Sequence, residues 1–169
     1  MKLSGLKIVL GISIVAFLSS CLGFADEPIV SSQRAEQAEL TAFLNKLTES
    51  GKDIDTTNFG IYYISMEEGE GEFPKAGDSL EVGYVGYFID GTLFDASDKL
   101  EENGTLEFVL GNPPNIPGWD KGMELINRNA KVQLIIPSKY AYGSTGLGAI
   151  PPYKTLVFVV KMINLRPSK

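Results

Sequence analysis

The groups in this chain whose types and spacing could form a site are six aromatic side chains and one carboxylate. They are Tyr84, Phe94, Phe108, Trp119, Tyr142 and Phe158, with Asp95 directly beside Phe94. Gathered over one helix, they would line an apolar hollow with two phenol tips and a carboxylate at its edge. Such a hollow holds a ligand by shape and a few fixed hydrogen bonds. Trp119, the only tryptophan, follows Pro117-Gly118, where a helix can begin. It is therefore either core filler or the floor of the hollow. Spacing alone leaves both readings open, because aromatics at alternating strand positions also fill cores.

Composition narrows the chemistry. The 169 residues contain no histidine, and Cys21 is the sole cysteine. A Ser-His-Asp or Cys-His nucleophile cannot be assembled. The usual zinc sites lack their ligands, so no metal is expected. A disulfide within the chain is impossible. The formal charge of −6 argues against a nucleic-acid partner.

The elements that must position the aromatics follow a leader. Lys2 and Lys7 precede an apolar run, Ile8 to Leu18, and then "LSSC", Leu18 to Cys21. A charged start, a short apolar run and small residues describe a secretory signal. The run falls short of the ~20 apolar residues of a membrane-spanning helix. "LSSC" resembles the bacterial lipobox, in which the cysteine is acylated and becomes the mature N-terminus, anchoring the protein to a membrane. Cleavage after Ala25 is the other reading and would leave a soluble periplasmic protein. Leu22, rather than Asp, behind the cysteine points to the outer membrane. The expected organisation is a lipoprotein-type signal at 1–20, a tether and amphipathic helix at 21–57, and a folded domain at 58–169. Ser31 or Ser32 can cap the helix, which carries Leu40, Phe43, Leu44 and Leu47 as an apolar stripe and ends at Gly51. The stripe serves either to dock the helix on its own domain or to pair it with a second copy.

The remainder reads as strands. Gly60 to Met66 is one. Leu80, Val82, Tyr84 and Phe88 alternate along a longer one closed by the Asp90-Gly91 turn. Leu106, Phe108 and Leu110 share a face of the next. Val132, Leu134 and Ile136 do so in another, and Leu156, Phe158, Val160 and Met162 in the last. A single helix is expected between them, Gly118 to Asn127. The fold class is α+β, an antiparallel sheet with the helix on one face.

Several ordered motifs then carry a resemblance. "GEGEFPKAGDSLEVGYVGYFIDGTLFDAS", Gly69 to Ser97, resembles the first half of an FKBP-type peptidyl-prolyl isomerase. "FVLG", Phe108 to Gly111, with "IPGWDKGM", Ile116 to Met123, is similar to its strand-to-helix passage. "IPSKYAYGSTG" and "AIPPYKTLVFVV" are similar to its last loop and strand. The resemblance runs from about Asn58 to Leu165. It implies a curved antiparallel sheet wrapped around one short helix, with a shallow apolar pocket between them. It implies that Trp119 is the pocket floor and that Tyr84, Phe94, Phe108, Phe158 and Ile116 line the walls, with Leu106 at the edge. Asp95 and Tyr142 would supply polar contacts, and Ile150 a backbone N–H to the ligand.

The implied activity is rotation of X–Pro bonds in exported, proline-containing polypeptides. No bond is made or broken, so the reaction needs no nucleophile, metal or cofactor. A macrolide of the tacrolimus type is the further ligand the family suggests. The chain departs from the pattern on the pocket rim. Leu106 replaces a common aromatic, and Asn115 an apolar residue. The segment from Ala96 to Thr105 is longer and lacks an arginine that often pairs with the aspartate, for which Lys99 could substitute. The loop holding Leu147 is slightly shorter. Two rival readings remain: an FKBP-like chaperone module with little isomerase activity, and a structural envelope protein whose partner binds the N-terminal helix.

Overall fold

The structure is a computed structural model that describes residues 32–99 and 104–169, with Lys99 described by its backbone alone. The leader, Cys21, the first part of the tether and part of the long 96–105 segment lie outside the described residues. Among the described residues are two α-helices, seven strands and two single-turn 3-10 helices at Ser97–Lys99 and Ser138–Tyr140. In chain order the α-helices and strands are α1 (Gln33–Glu49), β1 (Asp55–Thr56), β2 (Tyr62–Glu67), β3 (Ser79–Phe88), β4 (Leu93–Ala96), β5 (Leu106–Val109), α2 (Pro117–Met123), β6 (Lys131–Ile136) and β7 (Leu156–Arg166).

The strands form one antiparallel sheet in the order β1-β2-β6-β7-β3-β4, with β5 also on β3. β3 is the hub. It pairs β7 along its whole length on one edge. On the other edge β5 covers Ser79 to Val82 and β4 covers Val85 to Tyr87. The Asp90-Gly91 turn closes β3 onto β4 as its residues require. Gly91 takes φ 87°, its N–H donates to Phe88 O, and the Asp90 carboxylate accepts from Thr92 N at 2.8 Å.

Period-two alternation sends Leu80, Val82 and Tyr84 of β3, Leu134 and Ile136 of β6, and Phe158, Val160 and Met162 of β7 to one face. There they form the main core with Trp119, Met123 and Ile126. The expected helix from Gly118 to Asn127 is shorter in the structure and ends at Met123. Beyond it the chain tightens into successive i→i+3 turns, Leu125 N to Gly122 O and Ile126 N to Met123 O. Ile126, in this turning segment, is completely buried. α2 itself lies close against β6. A Cβ on Gly118 would collide with Ile136 and stand 3.0 Å from the carbonyl oxygen of Tyr140, and one on Gly122 would collide with Leu134.

Part of the opposite face of the sheet is also covered, whereas Val85 and Ile163 on it stay exposed. Ile135 and Val157 point away from α2 and bury against Leu40 of α1, with Phe43, Leu44 and Leu47 packed around them. The apolar stripe of the N-terminal helix is therefore turned onto its own domain. Ser32 caps this helix by accepting from Ala35 N at 3.2 Å, and Gly51 leaves it at φ 77°. β1 carries no sequence signal. Its two residues are exposed and are strand only because they pair with Tyr62 and Tyr63.

Two substitutions probe these contacts. Gly118→Ala gains up to about 1 kcal/mol of helix propensity. It must also overpack a filled core, which costs about 1–3 kcal/mol, so chemical denaturation should show a net loss of stability. Leu40→Ala should cost about 2–5 kcal/mol in the same measurement, because it empties the α1 contact on Ile135 and Val157.

Candidate active site

At one end of the main core the alternation of β3 and β7 brings Tyr84 and Phe158 beside the first turn of α2. Pro117 opens that helix at a position where its missing N–H costs nothing. Trp119 N donates to Ile116 O at 2.9 Å. Asp120 accepts from both the backbone N and the side-chain amide of Asn115, folding the Asn115-Ile116 segment back onto the helix. Trp119 is thereby pressed under the sheet, 5 % exposed. Its ring meets Phe158 at 5.1 Å and Tyr84 at 5.2 Å, both edge to face, and Phe108 at 6.2 Å.

Above the indole lies a pocket of about 120 Å³ lined by Tyr84, Asp95, Leu106, Asn115, Ile116, Trp119, Tyr142 and Phe158. Drug-sized sites span roughly 300–1,000 Å³, so this one has room for a single small group rather than a whole ligand. A larger hollow of about 650 Å³ lies elsewhere, between α1 and the β3–β4 turn, and none of the aromatics that converge on Trp119 reaches it.

Phe94 and Phe108, expected on the walls, are half-buried and do not line this small hollow themselves. Phe94 packs edge to face on Phe158 at 5.5 Å, and Phe108 touches Trp119. The inward position between Tyr84 and Phe88 is Gly86, and a Cβ there would lie 2.8 Å from Phe94 and 2.9 Å from Phe158. A side chain at 86 would displace the two rings that support the pocket. Ile150 packs against the core but is absent from the pocket lining, and its N–H donates to Leu147 O at 2.9 Å within its own loop.

The polar edge is a hydrogen-bonded pair. Tyr84 Oη donates to Asp95 Oδ2 at 2.8 Å, and Asp95 Oδ1 accepts from Ala96 N at 2.9 Å. Among the described residues no salt bridge includes Asp95. The side chain of Lys99 lies outside those described. Burial first, then the bond to Asp95 and its charge, hold the Tyr84 phenol well above the ordinary tyrosine range. Burial and the Asp95 charge raise Tyr142 in the same way. Both phenols therefore remain donors to high pH. Ser97 was not singled out by the sequence. It is buried, accepts from Tyr84 N at 3.0 Å and donates to Gly104 O at 2.7 Å, pinning the strand beneath the pair. A lone serine in a polar segment carries no signal of such a role.

The model of the FKBP-type peptidyl-prolyl cis-trans isomerase family matches residues 70–163, more than half of the chain. The chain belongs to that family. FkpA of Escherichia coli, an FKBP-type peptidyl-prolyl cis-trans isomerase, is 40% identical over 117 residues, which are 69% of this chain and 42% of that protein. The FKBP-type 22 kDa peptidyl-prolyl cis-trans isomerase of the same organism is 36% identical over 132 residues, 76% of this chain and 62% of that one. The crystal structure of E. coli FkpA superposes with a TM-score of 0.67 at 33% identity, covering 81% of this chain and 63% of that chain. A peptidyl-prolyl isomerase from Pseudomonas syringae gives 0.67 at 31% identity, covering 80% of this chain and 97% of its own. This FKBP-type chain thus spans less than half the length of the E. coli FkpA it matches.

The raised Tyr84 pKa has a measurable sign. Below about pH 10 the phenol keeps its proton in both the folded and unfolded states, and its contribution is fully present. Above that, only the unfolded chain ionises freely, so stability falls as pH rises. Tyr84→Phe should flatten this alkaline loss, seen in denaturant midpoints followed from about pH 8 to 11.

Proposed function

We propose that the protein is a peptidyl-prolyl cis-trans isomerase and that the pocket over Trp119 receives the prolyl ring. The observation that carries this reading is the combination of a ring-sized pocket over the Trp119 indole with a hydrogen-bonded phenol and carboxylate at its lip. Tyr84, Asp95, Trp119, Tyr142 and Phe158 act directly, with Ile116 and Leu106 touching the substrate. Phe94 and Phe108 act by supporting Phe158 and Trp119. Ile150 would offer its N–H only by releasing or sharing the bond to Leu147.

The chemistry asked of such a site is modest in kind. The barrier to rotation is ~18–20 kcal/mol, because amide resonance gives the C–N bond double-bond character. The twisted amide has lost that resonance and carries less charge separation than the planar one. An apolar floor therefore disfavours the planar amide more than the twisted amide. Only interactions stronger in the transition state accelerate the step. A thousandfold gain requires about 4 kcal/mol of such preference. Tyr142 and the Tyr84–Asp95 pair provide fixed polar partners at the lip, and the ring stays seated on the indole.

The clients are proline-containing polypeptides, in particular exported proteins folding in the cell envelope, where uncatalysed isomerisation takes ~10–100 s. Residues 1–20 serve as the export signal, and acylated Cys21 is the anchor to the membrane. No described helix is long and apolar enough to cross a membrane. A tacrolimus-like macrolide would bury one ring in the pocket and leave the remainder on the rim.

The test is turnover of a Xaa-Pro peptide by the chain from Leu22 onward, with tacrolimus as inhibitor. Catalysis is expected. Loss of one polar contact worth about 1.4 kcal/mol in the transition state should lower kcat/KM about tenfold in Asp95→Val and in Tyr142→Phe. A well-folded chain without turnover would instead identify an FKBP-like binding module.

A further inference from the structure

Glu36 is a carboxylate buried to 7 % exposure in the first turn of α1, and among the described residues no salt bridge reaches it. A charge withdrawn from water must be compensated by hydrogen bonds. Three are present. Oε1 accepts from Ser138 N at 2.6 Å and from Thr155 Oγ1 at 2.8 Å, and Oε2 accepts from Ser138 Oγ at 2.6 Å.

The positions of these donors matter. Ser138 follows closely on the end of β6 at Ile136, and Thr155 immediately precedes β7 at Leu156. The carboxylate thus bridges the two ends of the 137–155 loop, which carries Tyr142 and Ile150. The loop relays that grip inward. Gly143 N donates to Ser138 O at 2.9 Å, and Tyr153 N to Gly143 O at 2.8 Å, so both limbs meet beside Tyr142. Tyr140 stacks on Phe59 at 4.4 Å and lies against the start of α2 at Gly118.

Docking of α1 does not need this carboxylate. Leu40, Phe43, Leu44 and Leu47 already seat the helix, and an apolar residue at 36 would continue their stripe. A buried charge is a poor way to gain stability, since its desolvation offsets most of what it gains. Its return is in geometry. The Lys154–Glu39 ion pair nearby is partly exposed and adds little.

We propose that Glu36 is a positioning residue for the pocket: its carboxylate clasps both ends of the 137–155 loop and so sets where Tyr142 stands relative to Asp95 and Trp119. The effect on rate rests on the isomerase reading above. Glu36 lies outside the family match at 70–163, whereas Ser138 and Thr155 lie inside it. The N-terminal helix therefore supplies part of the support of a site it does not touch.

The experiment compares the chain from Leu22 onward, which contains the whole compact unit from Ser31 to Lys169, with Glu36→Gln, Glu36→Leu, Ser138→Ala and Thr155→Val. Steady-state kinetics on a Xaa-Pro peptide, amide hydrogen exchange and melting temperature are read for each. Glu36→Gln keeps the shape but loses one acceptor oxygen. It should lower kcat about tenfold with KM changed less than about twofold, and speed exchange across 139–154 while β3 and β7 stay protected. Thr155→Val should reproduce a smaller part of both effects. Melting temperatures that fall while kcat and loop exchange stay unchanged would overturn the proposal. If Glu36→Leu fails to fold, the Ser138 and Thr155 variants carry the same two readouts. If the unsubstituted chain shows no turnover, the isomerase reading fails by itself. Loop exchange then still decides the clasp: faster exchange in Glu36→Gln upholds it, and unchanged exchange overturns it.

Discussion

The close approach of α2 to β6 is the constraint on which the site depends. Gly118 and Gly122 present no side chain to Ile136, Leu134 and the Tyr140 carbonyl, so the helix axis can sit within backbone reach of the sheet. Only at that separation does the indole of Trp119 meet Tyr84 and Phe158 edge to face. A helix held one methyl group further out would leave a gap under the indole, and a densely packed interior loses dispersion contacts at such a gap. Gly86 plays the matching part on the sheet side, since its missing Cβ is the space that Phe94 and Phe158 occupy. The pocket is thus defined as much by absent side chains as by present ones.

Beside the aromatic floor, two of the polar groups of the site are paired with each other. The Tyr84–Asp95 bond binds strands β3 and β4 at their inner edge, and Ser97 fixes the backbone beneath it. Low local dielectric strengthens such a pair and makes each member costly to leave alone. The arrangement suits a reaction in which no proton moves and the site must only hold a carbonyl and a ring in different surroundings.

At β6 and β7 the sheet is covered on both faces, by α2 on one and α1 on the other. β6 and β7 send alternate residues to α2 and to α1, so Ile135 and Val157 are as buried as Leu134 and Leu156. The runs "LII" and "LVFVV" are the trace of this in the sequence, because a strand with one solvated face would alternate strictly. Glu36 occupies the turn before Leu40 on the same helical stripe. A carboxylate on an apolar stripe is the signal that could have drawn attention to it.

Much of the architecture was legible because it is local. Period-two patterns placed β3, β5, β6 and β7, turn chemistry placed Asp90-Gly91, and a serine cap with a terminal glycine bounded α1. Ordered motifs across much of the chain brought the family within reach, and with it the neighbourhood of Trp119, Tyr84, Asp95, Tyr142 and Phe158. What tertiary structure alone decided is non-local. β1 is a strand only through its partner, and α2 stops at Met123, with Ile126 buried in the turns that follow. Phe94 and Phe108 meet the pocket through ring contacts with Phe158 and Trp119, which come from elements far apart in the chain. Glu36 meets Ser138 and Thr155 across more than a hundred residues of chain. Propensity and periodicity act over a few residues, whereas the partner of a buried polar group is chosen by the packing of the whole domain.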